Sequence, residues 1–191
     1  MAAAAATGKT ELRQLLRPRR LALMAAAEPQ LLAVALAQLP AQLDAELSLG
    51  LYWPLPGEAD LRPLATSPSL AGRLALPRVQ GGRLQYRRWR PGDPLSPDDT
   101  AIPAPAEGSS LEPGQLGLLL APALGFDRRG IRLGYGGGWF DRLRADAAWR
   151  AIPALAVLPR GCLQELLPQD PWDVPFQGWL DETGLHWLTQ D

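Results

Sequence analysis

The nine residues LGLLLAPAL, which begin at Leu116, contain no charged side chain. An apolar run of this length between turn-forming residues is typical of a strand that is covered on both faces, as in a parallel sheet between layers of helix. A second run of this kind, IPALAVL, occupies residues 152–158. Because helical patterns alternate with such strands, the sequence predicts an α/β fold with a mostly parallel central sheet flanked by helices.

Weaker patterns predict the remaining elements. They are helices at residues 7–27, 28–39 and 138–149, a weak helix at 61–70, a strand at 47–53 and a short final strand at 177–181. Arginine-rich runs at residues 73–79 and 83–89 flank the pair Gly81-Gly82 and indicate a β-hairpin. Residues 90–114 are rich in proline and glycine and predict a long loop. We expect one domain over residues 1–191, with residues 1–8 disordered.

The charges nearly balance, with 19 basic and 20 acidic residues. A chain of net charge -1 has no overall field that would attract nucleic acid or an anionic membrane, so any binding of anions must be local. Cys162 is the only cysteine and His186 the only histidine, which excludes an internal disulfide, a cysteine-rich zinc site and most Ser-His-Asp sites. These counts predict a protein of the reducing cytoplasm.

The segment RPRRLALMAAA at residues 17–27 has the basic and apolar parts of a secretory signal. Glu28 and Pro29 interrupt the apolar part, and a second helical pattern follows in place of a cleavage region. No stretch of the sequence approaches the roughly 18 uninterrupted apolar residues of a membrane span. We therefore expect neither export nor a membrane partner.

The stretch RLGYGGGWFDR, residues 132–142, combines four glycines with aromatic and charged residues. Glycine lets backbone N–H groups approach a ligand, and a helix that begins directly after it adds the positive end of a dipole, so the stretch predicts a phosphate site. It is not a P-loop, because the similar ATGKT at residues 6–10 has Ala3 at the first glycine position. Nor is it a dinucleotide fingerprint, because Trp139 stands where a small residue is required.

The order of strand, glycine stretch and helix resembles the 5-formyltetrahydrofolate cyclo-ligase (methenyltetrahydrofolate synthetase) family. The residues in register with its hallmark are Pro122, Phe126, Asp127, Gly130, Arg132, Leu133, Gly134, Tyr135, Gly136, Gly137, Gly138, Asp141 and Arg142. Further matching segments, in the same order as in the family, are KTELR at 9–13, WPLPGEAD at 53–60, LALPRV at 74–79 and WDVP at 172–175. The resemblance therefore covers nearly the whole chain.

The resemblance implies an ATP- and Mg2+-dependent reaction that closes 5-formyltetrahydrofolate into 5,10-methenyltetrahydrofolate and releases ADP and phosphate. We also expect a cytoplasmic monomer that acts on small molecules, without nucleic acid. The ATP-binding residues that the resemblance implies are Lys9, Arg13, Arg132, Gly134, Tyr135, Gly136, Gly137, Gly138, Trp139 and Phe140. The implied folate-binding residues are Trp53, Glu58, Tyr135 and Trp139, the catalytic residues Arg132 and Tyr135, and the metal ligands Asp141 and Asp173.

The basic residues of this set suit polyphosphate. Lys9 and Arg13 are four residues apart in a predicted helix, so both side chains lie on one face. Arg132 is placed to pair with phosphate or with charge that develops on the transferred group. The alternatives are a solvated helix start for Lys9 and Arg13, and an ion pair with Asp127 for Arg132.

The acids and the aromatic residues also have two interpretations each. A carboxylate at Glu58 suits the amino and ring N–H groups of a pterin, and alternatively it is an ordinary loop acid. Asp141 and Asp173 offer the hard oxygens that Mg2+ prefers, or are a helix-start acid and a turn residue. Three aromatic side chains either enclose the pterin or adenine ring by stacking or only pack over the exposed loop, namely those of Tyr135, Trp139 and Phe140.

Four positions depart from the pattern of the family. Ala104 replaces a glutamate, unless Glu107 substitutes for it, and Phe140 replaces a tyrosine, which excludes a catalytic hydroxyl there. Trp172 replaces a histidine, and Gln177 replaces an aspartate. These departures allow the alternative of a folate- or nucleotide-binding protein with reduced or lost catalysis.

A third hypothesis is RNA binding by the arginine-rich hairpin. Arginines interleaved with Tyr86 and Trp89 are found at nucleic-acid sites. The near-neutral total charge favours a solvated hairpin instead.

Overall fold

The computed structural model of the chain describes residues 8–189. Its α-helices are α1 (Lys9–Gln38), α2 (Trp139–Ala145) and α3 (Ala147–Arg150). Its strands are β1 (Ser48–Gly50), β2 (Leu74–Gln80), β3 (Arg83–Trp89), β4 (Leu95–Pro97), β5 (Pro103–Pro105), β6 (Leu116–Pro122), β7 (Gly125–Phe126), β8 (Arg132–Leu133), β9 (Ala154–Val157), β10 (Gly178–Asp181) and β11 (Gly184–Trp187). Apart from Gly8, the segment that was expected to be disordered lies outside the described residues.

Seven strands form the central sheet, in the order β11-β10-β9-β6-β1-β2-β3. The five inner strands from β10 to β2 pair in parallel, and the two edge strands, β3 and β11, pair antiparallel to their neighbours. The predicted α/β class with a mostly parallel sheet is confirmed, and so is the hairpin of β2 and β3.

The strand β6 shows why both faces of the sheet are covered. Leu118 and Leu120 point to one face, into the core cluster that contains Leu31 and Ala35 of α1. Leu119 points to the other face, into a cluster that includes residues of α2. The side chains of Leu118, Leu119 and Leu120 are each at most 1% exposed, so the unbroken apolar run reflects burial on two faces.

The prediction of two helices before residue 40 was wrong, because α1 runs without interruption through Pro18 and Pro29. Proline lacks the N–H of a helical hydrogen bond, and this lowers the stability of a helix interior. Both prolines lie on the exposed side of α1. The buried side contacts the sheet, so tertiary packing outweighs the local preference.

The other differences lie at the ends of elements. The strand predicted over residues 47–53 is limited to Ser48–Gly50, and the weak helix is a short 3-10 helix, Arg62–Thr66. The predicted helix at 138–149 is divided at Asp146, whose carboxylate accepts hydrogen bonds from the N–H groups of Ala148 and Trp149 and so caps α3. The strand β11 and the small β4–β5 sheet within the long loop were not predicted.

The segment Lys9–Gln42, which comprises α1 and the turn after it, is long and apolar enough to cross a membrane by length and composition alone. Core helices and N-terminal signals meet the same criterion. In the described structure one side of α1 packs on the sheet, while Leu15 and Leu21 on its outer side are exposed. The absence of a membrane partner therefore stays a prediction.

Candidate functional site

A cavity of about 600 Å³ lies where the chain leaves the carboxyl ends of β1 and β6. Ligand sites of parallel sheets collect at this edge. The cavity is lined by all of the residues that the resemblance implied, namely Lys9, Arg13, Trp53, Glu58, Arg132, Gly134, Tyr135, Gly136, Gly137, Gly138, Trp139, Phe140, Asp141 and Asp173. Segments that are distant in the sequence thus converge on one place, while the role of each residue stays a prediction.

The glycine stretch forms one wall of this cavity. Gly136 and Gly138 have φ angles of 102° and 63°, a region that other residues rarely adopt. Within residues 8–189, the backbone N–H groups of Gly136, Gly137 and Gly138 make no hydrogen bond to the protein. The stretch therefore presents unpaired donors at the start of α2, as an anion site requires.

The start of α1 lies against the same wall. Arg13 Nε donates a hydrogen bond of 2.9 Å to the carbonyl oxygen of Gly134. Lys9 Nζ donates to carboxylate oxygens of Asp170 at 2.7 Å and Asp173 at 2.5 Å. Partial burial alone would lower the pKa of Lys9, but its two carboxylate partners raise that pKa above the ordinary value. Lys9 therefore does not have the solvated position of an isolated helix start.

Arg132 does not form the ion pair with Asp127 that was one of its two interpretations. Asp127 instead pairs with Arg129 at 2.7 Å. Arg132 Nη1 donates to the carbonyl oxygen of Pro122, at the end of β6, over 3.1 Å. Enclosure lowers the pKa of Arg132, and the nearest acids, chiefly Asp141, only partly offset this effect. The result is a guanidinium at the base of the cavity without a bound carboxylate among the described residues.

Glu58 is not an ordinary loop acid, since only 7% of its surface is exposed. Its Oε2 accepts a hydrogen bond of 2.9 Å from the N–H of Leu55. Its Oε1 lies 3.5 Å from Arg20 Nη1 and has no hydrogen-bond partner among the described residues. Burial raises the pKa of Glu58, although the Leu55 N–H and Arg20 act in the opposite direction. A buried carboxylate oxygen that has a neighbouring cation but no hydrogen-bond donor fits a ligand that donates hydrogen bonds.

The aromatic residues divide between the cavity and the core. Tyr135 is 39% exposed, and its hydroxyl accepts a hydrogen bond from Arg20. The Trp139 ring lies under the Arg142 guanidinium, 4.3 Å from its centre. Phe140 packs edge to face on Phe176, with centroids 6.3 Å apart, so it supports the core as well as lining the cavity.

Asp141 and Asp173 are near each other at one side of the glycine stretch. Asp141 lies in the first turn of α2, and its Oδ1 accepts a 3.5 Å hydrogen bond from the N–H of Val174, the neighbour of Asp173. Mg2+ usually binds one or two carboxylates together with water and substrate phosphates. Two carboxylates beside an anion wall fit that pattern, although no group of three metal-binding side chains occurs in the part of the chain that is described.

Two residues with contacts at this site were not predicted from the sequence: Asp170, which pairs with Lys9, and Arg20, which lies behind the cavity. The Arg20 side chain is buried in the middle of α1 and contacts both Glu58 and Tyr135. The spacing of Arg20 in the sequence could have indicated that it belongs to the site. It follows Arg13 by seven residues and Lys9 by eleven, so all three lie on the same helix face.

The four departures have different surroundings. Ala104 is fully buried in β5, and Glu107 is exposed and does not line the cavity. Trp172 is 69% exposed and lies at the rim. Gln177 lies outside the cavity, where its Oε1 accepts hydrogen bonds from the N–H of Ala154 and from the buried Arg144.

Two adjacent arginines of the arginine-rich hairpin, Arg87 and Arg88, have different surroundings. Arg87 donates hydrogen bonds to the carbonyl oxygens of Pro105 and Ala106 and to Gln80. Arg88 is exposed. These contacts favour a solvated hairpin over an RNA-binding surface.

Comparison with known proteins places this geometry in a family. The sequence profile of the 5-formyltetrahydrofolate cyclo-ligase family matches residues 5–180. A 5-formyltetrahydrofolate cyclo-ligase of Haemophilus influenzae is 34% identical over 97 residues, 49% of this chain and 51% of that protein. One of Escherichia coli is 32% identical over 128 residues, 63% of this chain and 69% of that protein. The aligned part thus spans about half of the first relative and about two thirds of the second.

Solved structures agree with the sequence comparison. The NMR structure of an Aquifex aeolicus 5,10-methenyltetrahydrofolate synthetase superimposes with a TM-score of 0.75 at 28% identity, covering 96% of this chain and 94% of that one. A 5,10-methenyltetrahydrofolate synthetase from Mycoplasma pneumoniae has the same fold, with a TM-score of 0.69 at 21% identity over 91% of this chain and 98% of that one. With its profile match, its relatives and its fold in agreement, this chain belongs to the 5-formyltetrahydrofolate cyclo-ligase family.

Proposed function

We propose that this protein is an ATP-dependent 5-formyltetrahydrofolate cyclo-ligase that forms 5,10-methenyltetrahydrofolate. The observation that carries the proposal is the convergence of the family's hallmark segments on one cavity at the carboxyl edge of the sheet. The cavity joins a wall of unpaired N–H groups to a buried carboxylate, so it offers one end to phosphate and the other to a ring with N–H donors. The proposal includes a monomer of the cytoplasm that binds neither nucleic acid nor membrane.

The reaction transfers the γ-phosphoryl group of ATP to the formyl oxygen on N5 and releases ADP. N10 then attacks the activated formyl carbon and loses its proton, the C–O bond breaks, and phosphate leaves with the oxygen. This chemistry requires positioning and the neutralisation of charge, without a protein nucleophile. It agrees with a cavity that has neither a cysteine nor a histidine in its lining.

The nucleotide end of the site is assigned to the glycine stretch and its neighbours. N–H groups of Gly136, Gly137 and Gly138 would bind phosphate oxygens, and Arg132 would bind the oxygens on which charge increases during transfer. Asp141 and Asp173 would hold Mg2+, which supplies charge neutralisation at the phosphates when it is bound.

The folate end is assigned to Glu58 and the aromatic rings. The Oε1 of Glu58, which lacks a hydrogen-bond partner among the described residues, would accept hydrogen bonds from the pterin, and Trp53 would pack against its ring. Tyr135 and Trp139 lie between the two ends of the cavity and would contact both substrates.

A second candidate is a family member that binds folate or nucleotide with reduced turnover. Two observations favour it, namely the buried Ala104 in place of a glutamate and the Phe140 ring that lacks a hydroxyl. Calorimetry that shows binding of both ligands, without product in the assay below, would support this candidate.

The assay that tests the leading proposal mixes the purified protein with 5-formyltetrahydrofolate, ATP and Mg2+. We expect the absorbance of 5,10-methenyltetrahydrofolate to increase, with one ADP formed per product molecule. Product that forms at the same rate without ATP, or no product at any nucleotide concentration, would contradict the proposal.

A further inference from the structure

Arg20 is a charged side chain in a place where an apolar one is the usual choice. It is 1% exposed, in the middle of α1. Burying a guanidinium carries a large desolvation cost that is recovered only through well-placed partners, and an apolar residue often serves stability as well or better. Stability alone therefore does not account for an arginine at this position.

The partners of Arg20 come from three separate segments. Its Nη1 lies 3.3 Å from the carbonyl oxygen of Ala123, beyond β6, and 3.5 Å from Glu58 Oε1. Its Nη2 donates to the hydroxyl of Tyr135, and its Cζ lies 5.1 Å from the centre of the Tyr135 ring. One planar guanidinium thus contacts both Glu58, at the proposed folate end, and Tyr135 of the glycine stretch.

We propose that Arg20 is a positioning residue, which holds the Glu58 carboxylate and the Tyr135 ring in a fixed relation so that the two ends of the cavity form one site. This inference rests on the proposed function for the identity of the ligands. Arg20 acts through Glu58 and Tyr135, since it does not line the cavity itself. A lysine cannot replace it fully, because one ammonium group lacks the fork of donors that reaches several acceptors.

The charge of Arg20 also acts on Glu58. The groups that face this carboxylate are Arg20 from α1, the N–H of Leu55, and Arg132 from β8, all of which favour the charged form. Burial opposes them and raises the pKa of Glu58. The hydroxyl of Tyr52, which is also near, donates to the carbonyl oxygen of Ala59 and not to Glu58. Without Arg20, Glu58 would therefore take up a proton at a higher pH.

The test compares Arg20→Met with the matched control Arg19→Met, an exposed arginine one position away. Folate affinity is measured by tryptophan fluorescence across a range of pH, and the Glu58 carboxyl is followed by carbon NMR without ligand. We expect Arg20→Met to weaken folate binding at pH 7 by about tenfold or more, as for the loss of a charged hydrogen-bond partner. Both the lower pH limit of binding and the Glu58 titration should move to higher pH, while Arg19→Met matches the wild type.

A folded Arg20→Met variant that binds folate with unchanged affinity would overturn the inference, whether or not its Glu58 titration moves. If that variant does not fold, Arg20→Lys decides. It should keep the pH limit of the wild type, because the charge remains, but bind both folate and ADP more weakly. Wild-type affinity for both ligands would overturn the inference in this case too. A wild-type protein that binds no folate would defeat the proposed function, whereas the ligand-free NMR titration would still test the link between Arg20 and Glu58.

Discussion

Replacement of Arg132 by alanine is expected to lower turnover by about 10²- to 10³-fold, the range typical for loss of one transition-state donor. Arg132 is the cation at the base of the cavity, and the only hydrogen bond of its guanidinium among the described residues is to the carbonyl oxygen of Pro122. Charge on the transferred phosphoryl group would then have no positive partner at this position. The measurement is the steady-state rate of methenyltetrahydrofolate formation with saturating folate and ATP.

The matched control is Arg128→Ala. Arg128 is an exposed arginine near the same turn, and it lies outside the cavity. The Arg128→Ala variant should therefore retain the wild-type rate. Because Arg132 also packs on Phe140 and Phe176, a thermal melt must show that the variant is folded. A folded Arg132→Ala protein with a rate close to wild type would mean that phosphate is bound elsewhere.

Replacement of Asp141 by alanine should also remove most turnover, on the order of 10²-fold, because a metal ion at transferring phosphates supplies several kcal/mol of charge stabilisation. The loss should be accompanied by a higher Mg2+ concentration for half-maximal rate. The rate is measured as a function of Mg2+ at fixed ATP. Loss of a first-turn acid alone costs α2 only about 0.3–1 kcal/mol, so the fold should persist.

Glu107→Ala is the control for Asp141→Ala, since it removes an exposed acid that does not line the cavity. It also tests whether Glu107 acts in place of the glutamate absent at position 104. An unchanged Mg2+ dependence in Asp141→Ala, or a comparable loss in Glu107→Ala, would show that the proposed metal ligands are misassigned.

The central sheet could be predicted because its strongest signal is local. The apolar runs at 116–124 and 152–158 report burial on both faces, which needs no knowledge of the rest of the chain. Element ends were less predictable, since Pro18 and Pro29 indicate helix breaks that packing of α1 on the sheet overrides. The later helix is divided at Asp146 because its side chain caps α3, and this local hydrogen bonding competes with continuation of α2.

Much of the candidate site could also be predicted, because the family pattern fixes residue types at fixed distances along the chain. The family pattern does not predict which side chains from distant segments contact each other in the fold. The contact of Lys9 with Asp170, the separation of Arg132 from Asp127 and the burial of Glu58 all depend on how distant segments pack. The burial of Arg20 could not be predicted because a run of arginines in an amphipathic helix is ordinarily solvated, and only the tertiary structure shows that one of them is enclosed.

A cyclo-ligase of this geometry would bind the phosphates of ATP at the bare backbone of Gly136–Gly138. A crystal structure with Mg2+ and a non-hydrolysable ATP analogue tests this assignment most directly. We expect phosphate oxygens within hydrogen-bond distance of these N–H groups, with Mg2+ bound at Asp141. Phosphates bound at another surface, or a glycine stretch closed by the protein's own side chains, would contradict it.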